Sequence, residues 1–147
     1  MRVVDIDGNN NDKAGDTGIY RFTIGPNLGD YIWVYFPDSV QYTGDPDSAI
    51  DICRQYFPTS TPYTEDISDC TYDSANNMIE FALPDGAPAY NKFEVGYLRN
   101  PPYSQERLDG FQIQILDSSE TVLMQNTQVF VEILPNEITD QSLAVSS

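Results

Sequence analysis

The side chains able to do chemistry in this chain are acids, two cysteines and a row of aromatic rings, because histidine is absent. Its absence removes the commonest general base near neutral pH and the commonest metal-ligating side chain, so no triad of serine or cysteine with histidine can form. The 23 Asp and Glu residues against 7 Lys and Arg make some pairing of carboxylates inevitable. A hydrolase built on two carboxylates needs them in a defined setting, and the sequence shows none; most of these acids are expected on a solvated face. One acidic cluster has a spacing of interest. Asp5, Asp7, Asn9, Asp12 and Asp16 place oxygen ligands at alternating positions, as a calcium loop does. Asn10 stands where such a loop has its glycine, Asp16 where it has its closing glutamate, and no helical pattern flanks it. A solvated turn is the competing reading, and Ca2+ is the only cofactor the sequence suggests.

Cys53 and Cys70 bracket a segment rich in Pro, Ser and Thr, and a disulfide between them is expected. Its loop has the length for which about 3 kcal/mol of stabilisation follows from chain entropy. Two buried thiols or a reactive cysteine are the alternatives, and no residue supplies the latter with a base. Thr59, Ser60, Thr61 and Thr64 within that loop are candidates for O-linked sugar, since no Asn-x-Ser/Thr sequon occurs. Tyr31, Trp33 and Tyr35, with Tyr63 and Tyr103 in loops, are candidates for stacking on a carbohydrate. The competing reading of the row is plain packing, core on one side and a neighbour on the other.

The elements that position these residues show a period of two. Tyr20, Phe22 and Ile24 alternate with Arg21 and Thr23, Ile79 and Phe81 recur in 78–83, and Phe93, Val95 and Tyr97 alternate with Glu94 and Gly96. Phe111, Ile113 and Ile115 do so again, and Ile113–Met124 reads as a hairpin turning at Asp117–Glu120, with a last strand at Val129, Val131 and Ile133. Residues 31–36 are apolar on both faces and therefore belong at the centre of a sheet or under a cover. Pro101 and Pro102 remove two backbone donors and should turn the chain out of its sheet between 93–98 and 111–116. The stretch from Ser39 to Asp73 loosens into short extended pieces around Ile50, Ile52 and Tyr56. Seven or more strands without a helix predict an all-β protein, an antiparallel β-sandwich.

At 147 residues with a net charge of −16, one domain over 1–137 is expected, with 138–147 as a terminal strand or linker. Such an acidic surface repels phosphate backbones and anionic lipid, which argues against nucleic acid and membrane surfaces as partners. No apolar run is long enough to span a bilayer as a helix. The N-terminus lacks the core of a signal peptide, so an exported form would be a processed or excised segment. Leu143 and Val145 have strand character, as do Val4 and Ile6. Strands at both ends suit a unit that completes its neighbour by strand addition, whereas a frayed tail is the simpler alternative.

The order of features from about residue 14 to 133 resembles an immunoglobulin-like repeat found in tandem in extracellular surface proteins of protists, ciliates especially. The matching pieces are Ala14-Gly15-Asp16 leading to Tyr20–Ile24, Leu28–Ile32 closing on Phe36-Pro37, Cys53 and Cys70, the strand around Ile79 and Phe81, Gly96–Pro101, and Phe111–Leu116. The resemblance implies an immunoglobulin-like sandwich without catalytic residues, acting outside the cell as a structural or adhesive unit. Neighbouring copies of the chain are the partners it implies, and the aromatic row separately suggests glycans. This chain holds a single copy, either cut from an array or polymerising from separate subunits.

Overall fold

Alternating apolar residues become paired strands throughout. The computed structural model of the chain describes residues 4–6, 12–24, 29–44, 50–57, 59–82 and 91–135. Among these lie eleven strands: β1 (Val4–Ile6), β2 (Thr17–Ile24), β3 (Tyr31–Tyr35), β4 (Gln41–Tyr42), β5 (Ile52–Phe57), β6 (Tyr63–Asp66), β7 (Cys70–Asp73), β8 (Met78–Ala82), β9 (Asn91–Arg99), β10 (Gln105–Leu116) and β11 (Val122–Ile133). No described residue is helical.

The strands form two antiparallel sheets. The first runs β1-β2-β9-β5-β6, with β4 added on β9, and the second runs β11-β10-β3-β8-β7. Strands distant in sequence are neighbours in both, β2 with β9 and β3 with β10. This order, with β2-β9-β5 facing β3-β10-β11, is that of an immunoglobulin-like β-sandwich. A parallel bridge between Lys13 and Leu134 brings the chain before β2 alongside the end of β11.

The core between the sheets is aromatic. Tyr20, Phe22, Phe36, Phe81, Phe93 and Phe111 interlock with ring centroids 5.1–6.0 Å apart, and Ile32, Val34, Ile79, Ile113 and Ile115 fill the layer between them. β3 is the middle strand of its sheet, as its continuous apolar run requires.

Where the two prolines were expected to carry the chain off its sheet, it crosses from β9 in the first sheet to β10 in the second. Asn100 anchors that crossing from inside. It is buried, it accepts a hydrogen bond from the Tyr20 hydroxyl at 2.6 Å, and its side-chain amide donates to the Lys13 carbonyl at 2.9 Å. Its backbone N–H donates to the Asp16 carbonyl and that of Gly15 to the Pro101 carbonyl, so the chain before β2 and the crossover are joined by hydrogen bonds centred on the buried Asn100. Burial holds the Tyr20 hydroxyl well above the usual tyrosine range, leaving it a permanent donor.

Two sequence expectations need correction. Residues 39–73 are not a loose excursion, since they contain β4, β5, β6 and β7. Their pattern hid this because β4 has two residues, all four side chains of β6 are exposed, and β5 carries the polar Gln55 at a buried position. Likewise 121–125 and 129–133 form one twelve-residue strand, β11. Its pairing with β10 shifts register four times, which breaks the alternation in the middle of the strand. Gly110, at φ +101°, sits in one of these irregularities.

Candidate functional site

The alternation that buries Ile32 and Val34 completely turns Tyr31, Trp33 and Tyr35 onto the outer face of the second sheet, where all three are half-buried. Register supplies their neighbours. Trp33 lies opposite Gln114 on β10 and Glu80 on β8, Tyr35 opposite Gln112 and Met78, and Tyr31 opposite Leu116 and Ala82. Beyond Gln114 comes Gln125 on β11, whose amide oxygen accepts a hydrogen bond from Gln114 Nε2 at 3.2 Å. Beyond Glu80 comes Thr71 on β7. The face is thus a central row of rings between a strip of amides and a strip holding carboxylates.

Its electrostatics are acidic. Burial, then the charges of Asp73, Glu120 and Asp69, raises the Glu80 carboxyl above the usual carboxylate range. Tyr35 is raised by burial and by Glu80 and Asp73. Asp73 is lowered by the hydrogen bonds it accepts from the side chain of Asn76 and from the backbone of Asn76 and Ala75, against a smaller opposing effect of desolvation.

A carboxyl raised in the folded chain favours folding while protonated, and that contribution is lost as pH rises from its ordinary value through the raised one. Glu80→Gln cannot ionise. Its stability in urea should therefore fall less than the parent's between pH 4 and pH 7, and exceed the parent's at pH 7.

No family model, curated protein or solved structure matches the chain. Its own geometry is what bears on function.

Of the five rings singled out for stacking, the structure gathers three. Tyr63 lies on β6 of the other sheet, stacked on Phe57 at 4.6 Å, and Tyr103 stands exposed in the β9–β10 crossover. Cys53 and Cys70 are joined, and both are buried. Thr59, Ser60, Thr61 and Thr64 are all exposed, with the Thr59 hydroxyl donating to the Thr61 carbonyl at 2.8 Å.

Of the suggested calcium ligands, Asp7 and Asn9 lie outside the described residues, as do 138–147. Asp5 falls in β1, while Asp12 and Asp16 flank the Lys13 bridge. Among the described residues no three acidic, histidine or cysteine side chains gather as metal ligands do.

Shallow hollows lie elsewhere among the described residues. One of 330 Å³ is bounded by Ser39, Gln41, Arg99 and Pro102, and one of 350 Å³ by Glu106, Glu132 and Pro135.

Sequence reasoning missed two polar features. One is the Asn100 anchor. The other lies on the outer face of the first sheet, where Glu94 is buried between Arg21 and Arg54. Neither follows from spacing along the chain, because each depends on which strands become neighbours.

Proposed function

We propose that this chain is a non-catalytic structural module of an extracellular filament or coat, whose copies join by adding a terminal strand to β11 of the next. The observation that carries the reading is β11 itself. It is twelve residues long and lies at the edge of its sheet. It contains one charged residue, Glu132, and no proline or glycine. Val122, Leu123 and Phe130 are exposed along it at 42–46 %.

Natural edge strands are commonly shortened, charged or bulged to prevent pairing between molecules. The other edge strands among the described residues have two to four residues. Three of the four register shifts fall between Gln105 and Ile113, so the half from Val122 to Asn126 is the better template. Among the described residues the Lys13–Leu134 bridge covers the far end, and β1 also approaches β11. Residues 138–147, with Leu143 and Val145 alternating, supply the sequence of an added strand.

A buried disulfide is compatible with an oxidising compartment, and no helix is long and apolar enough to cross a membrane. The exposed hydroxyls of Thr59, Ser60, Thr61 and Thr64 are where O-linked sugar would sit.

Sedimentation and electron microscopy of the purified chain test the reading. Concentration-dependent oligomers or filaments are expected. Leu123→Lys, or deletion of 138–147, should weaken association by about tenfold or more, equivalent to about 1.4 kcal/mol. A chain that stays monomeric at high concentration, or a Leu123→Lys variant that assembles as readily as its parent, would overturn it.

A further inference from the structure

We propose that the outer face of the five-stranded sheet binds a neutral, extended glycan chain laid along Tyr31, Trp33 and Tyr35. The inference does not rest on the filament reading, and requires only that assembly leave this face open.

Three rings two residues apart on one strand stand in line at steps of roughly 6.6 Å, so the row is about 13 Å long. That length suits several sugar units better than one. Pyranose rings present flat C–H faces that pack on aromatic rings, while the phenolic and indole groups keep a polar edge for hydroxyls. The strand is central in its sheet and is held in register on both sides, which fixes the row before any ligand arrives and limits the entropy lost on binding.

What flanks the rings selects the ligand. On one side Gln112 and Gln114 each carry a donor and an acceptor, and the bond from Gln114 to Gln125 orients that amide strip. On the other side Glu80 lies directly across from Trp33, in position to accept from sugar hydroxyls. The carboxylates of Glu80 and Asp73 lie beside the row, and the chain carries −16 overall. Uronate, sulfate or phosphate groups would be repelled there, so the glycan is neutral. Amides on one side and the Glu80 carboxylate on the other are also a poor match for an apolar protein surface.

Trp33 is the only tryptophan, so its emission reports from the middle of the face. The probes are hexasaccharides of β-1,4-linked glucose, N-acetylglucosamine and mannose, with a heparin hexasaccharide as the anionic comparison. At least one neutral probe should change Trp33 emission saturably, and heparin should not. Tyr35→Ala and Gln114→Ala should each weaken that binding by about tenfold, whereas Tyr103→Ala, away from the face, should leave it unchanged. If one face variant does not fold, as judged by its thermal transition, the other decides.

The proposal is overturned if none of the three neutral probes binds, if heparin binds as tightly, or if Tyr103→Ala weakens binding equally. It is also overturned if self-association of the chain buries Trp33.

Discussion

Removing Arg21 and Arg54 together is expected to destabilise the fold by about 4 kcal/mol, roughly twice the cost of removing the one carboxylate they share. The three residues lie on adjacent strands β2, β9 and β5, with Glu94 directly opposite each arginine. Glu94 Oε2 accepts from Arg21 Nε at 2.9 Å and Nη2 at 2.6 Å, and Oε1 accepts from Arg54 Nε at 2.6 Å. Exposure decides the asymmetry. The Glu94 side chain is 2 % exposed, whereas Arg21 and Arg54 are 27 % and 29 % exposed.

Taking both arginines away leaves the carboxylate without either of its charged partners, the costly way to break a buried pair. Taking Glu94 away leaves two guanidinium groups that can turn toward solvent, so Glu94→Ala should cost about 2 kcal/mol, the lost hydrogen bonds and packing. Either single arginine variant leaves Glu94 one partner and should cost about 1–2 kcal/mol. Arg21 should lie at the upper end of that range because its guanidinium also sits 4.2 Å from the centre of the Tyr56 ring. Urea unfolding of the four variants gives the order directly. A Glu94→Ala variant less stable than the double arginine variant would show that repulsion between the cations outweighs burial of the anion.

The case of Glu94 also shows where sequence reading stops. Glu94 alternates with Phe93 and Val95, and period two assigns it correctly to the face away from the core. It cannot say that the neighbours on both sides are arginines, because β2, β9 and β5 are separated by long stretches of chain. Of the strands that were legible, β2, β8 and β10 have their larger apolar residues on the core face, as does β9 at Phe93 and Val95, although Tyr97 turns outward; β3 was legible from its continuous apolar run. β6 was not, because all four of its residues are exposed and its backbone pairing with β5 leaves no alternation to read. The same division runs through the candidate face. Tyr31, Trp33 and Tyr35 stand out from the sequence because one strand carries them. Gln112, Gln114 and Glu80 become their neighbours only once β3 is placed between β10 and β8, and nothing local ties Tyr63 or Tyr103 to a different part of the molecule.

Opening the Cys53–Cys70 disulfide is expected to cost about 3 kcal/mol, set by the 17-residue separation it closes. The bridge joins β5 of the first sheet to β7 of the second, and so ties the sheets together along one side of the sandwich. β6, which lies between them in sequence, has four exposed residues, a ladder to β5, and the bond from Ile67 N–H to the Cys53 carbonyl at 2.8 Å just beyond it. Little apolar burial holds it, so the cross-link is the main restraint on that segment in the unfolded chain.

Two samples separate the cross-link from packing. The reduced protein keeps both sulfur atoms and loses only the bond. Cys53→Ala/Cys70→Ala also loses the volume of two buried side chains, and should be less stable than the reduced protein by about 1 kcal/mol or more. Hydrogen exchange should rise first in 59–69, ahead of β9 and β10, because a weakly buried edge opens locally at lower cost than the core. If the reduced chain keeps the oxidised urea midpoint and the protection of 59–69, the β5–β9 and β7–β8 ladders alone hold that edge, and the bridge does not limit the unfolded state as chain entropy requires.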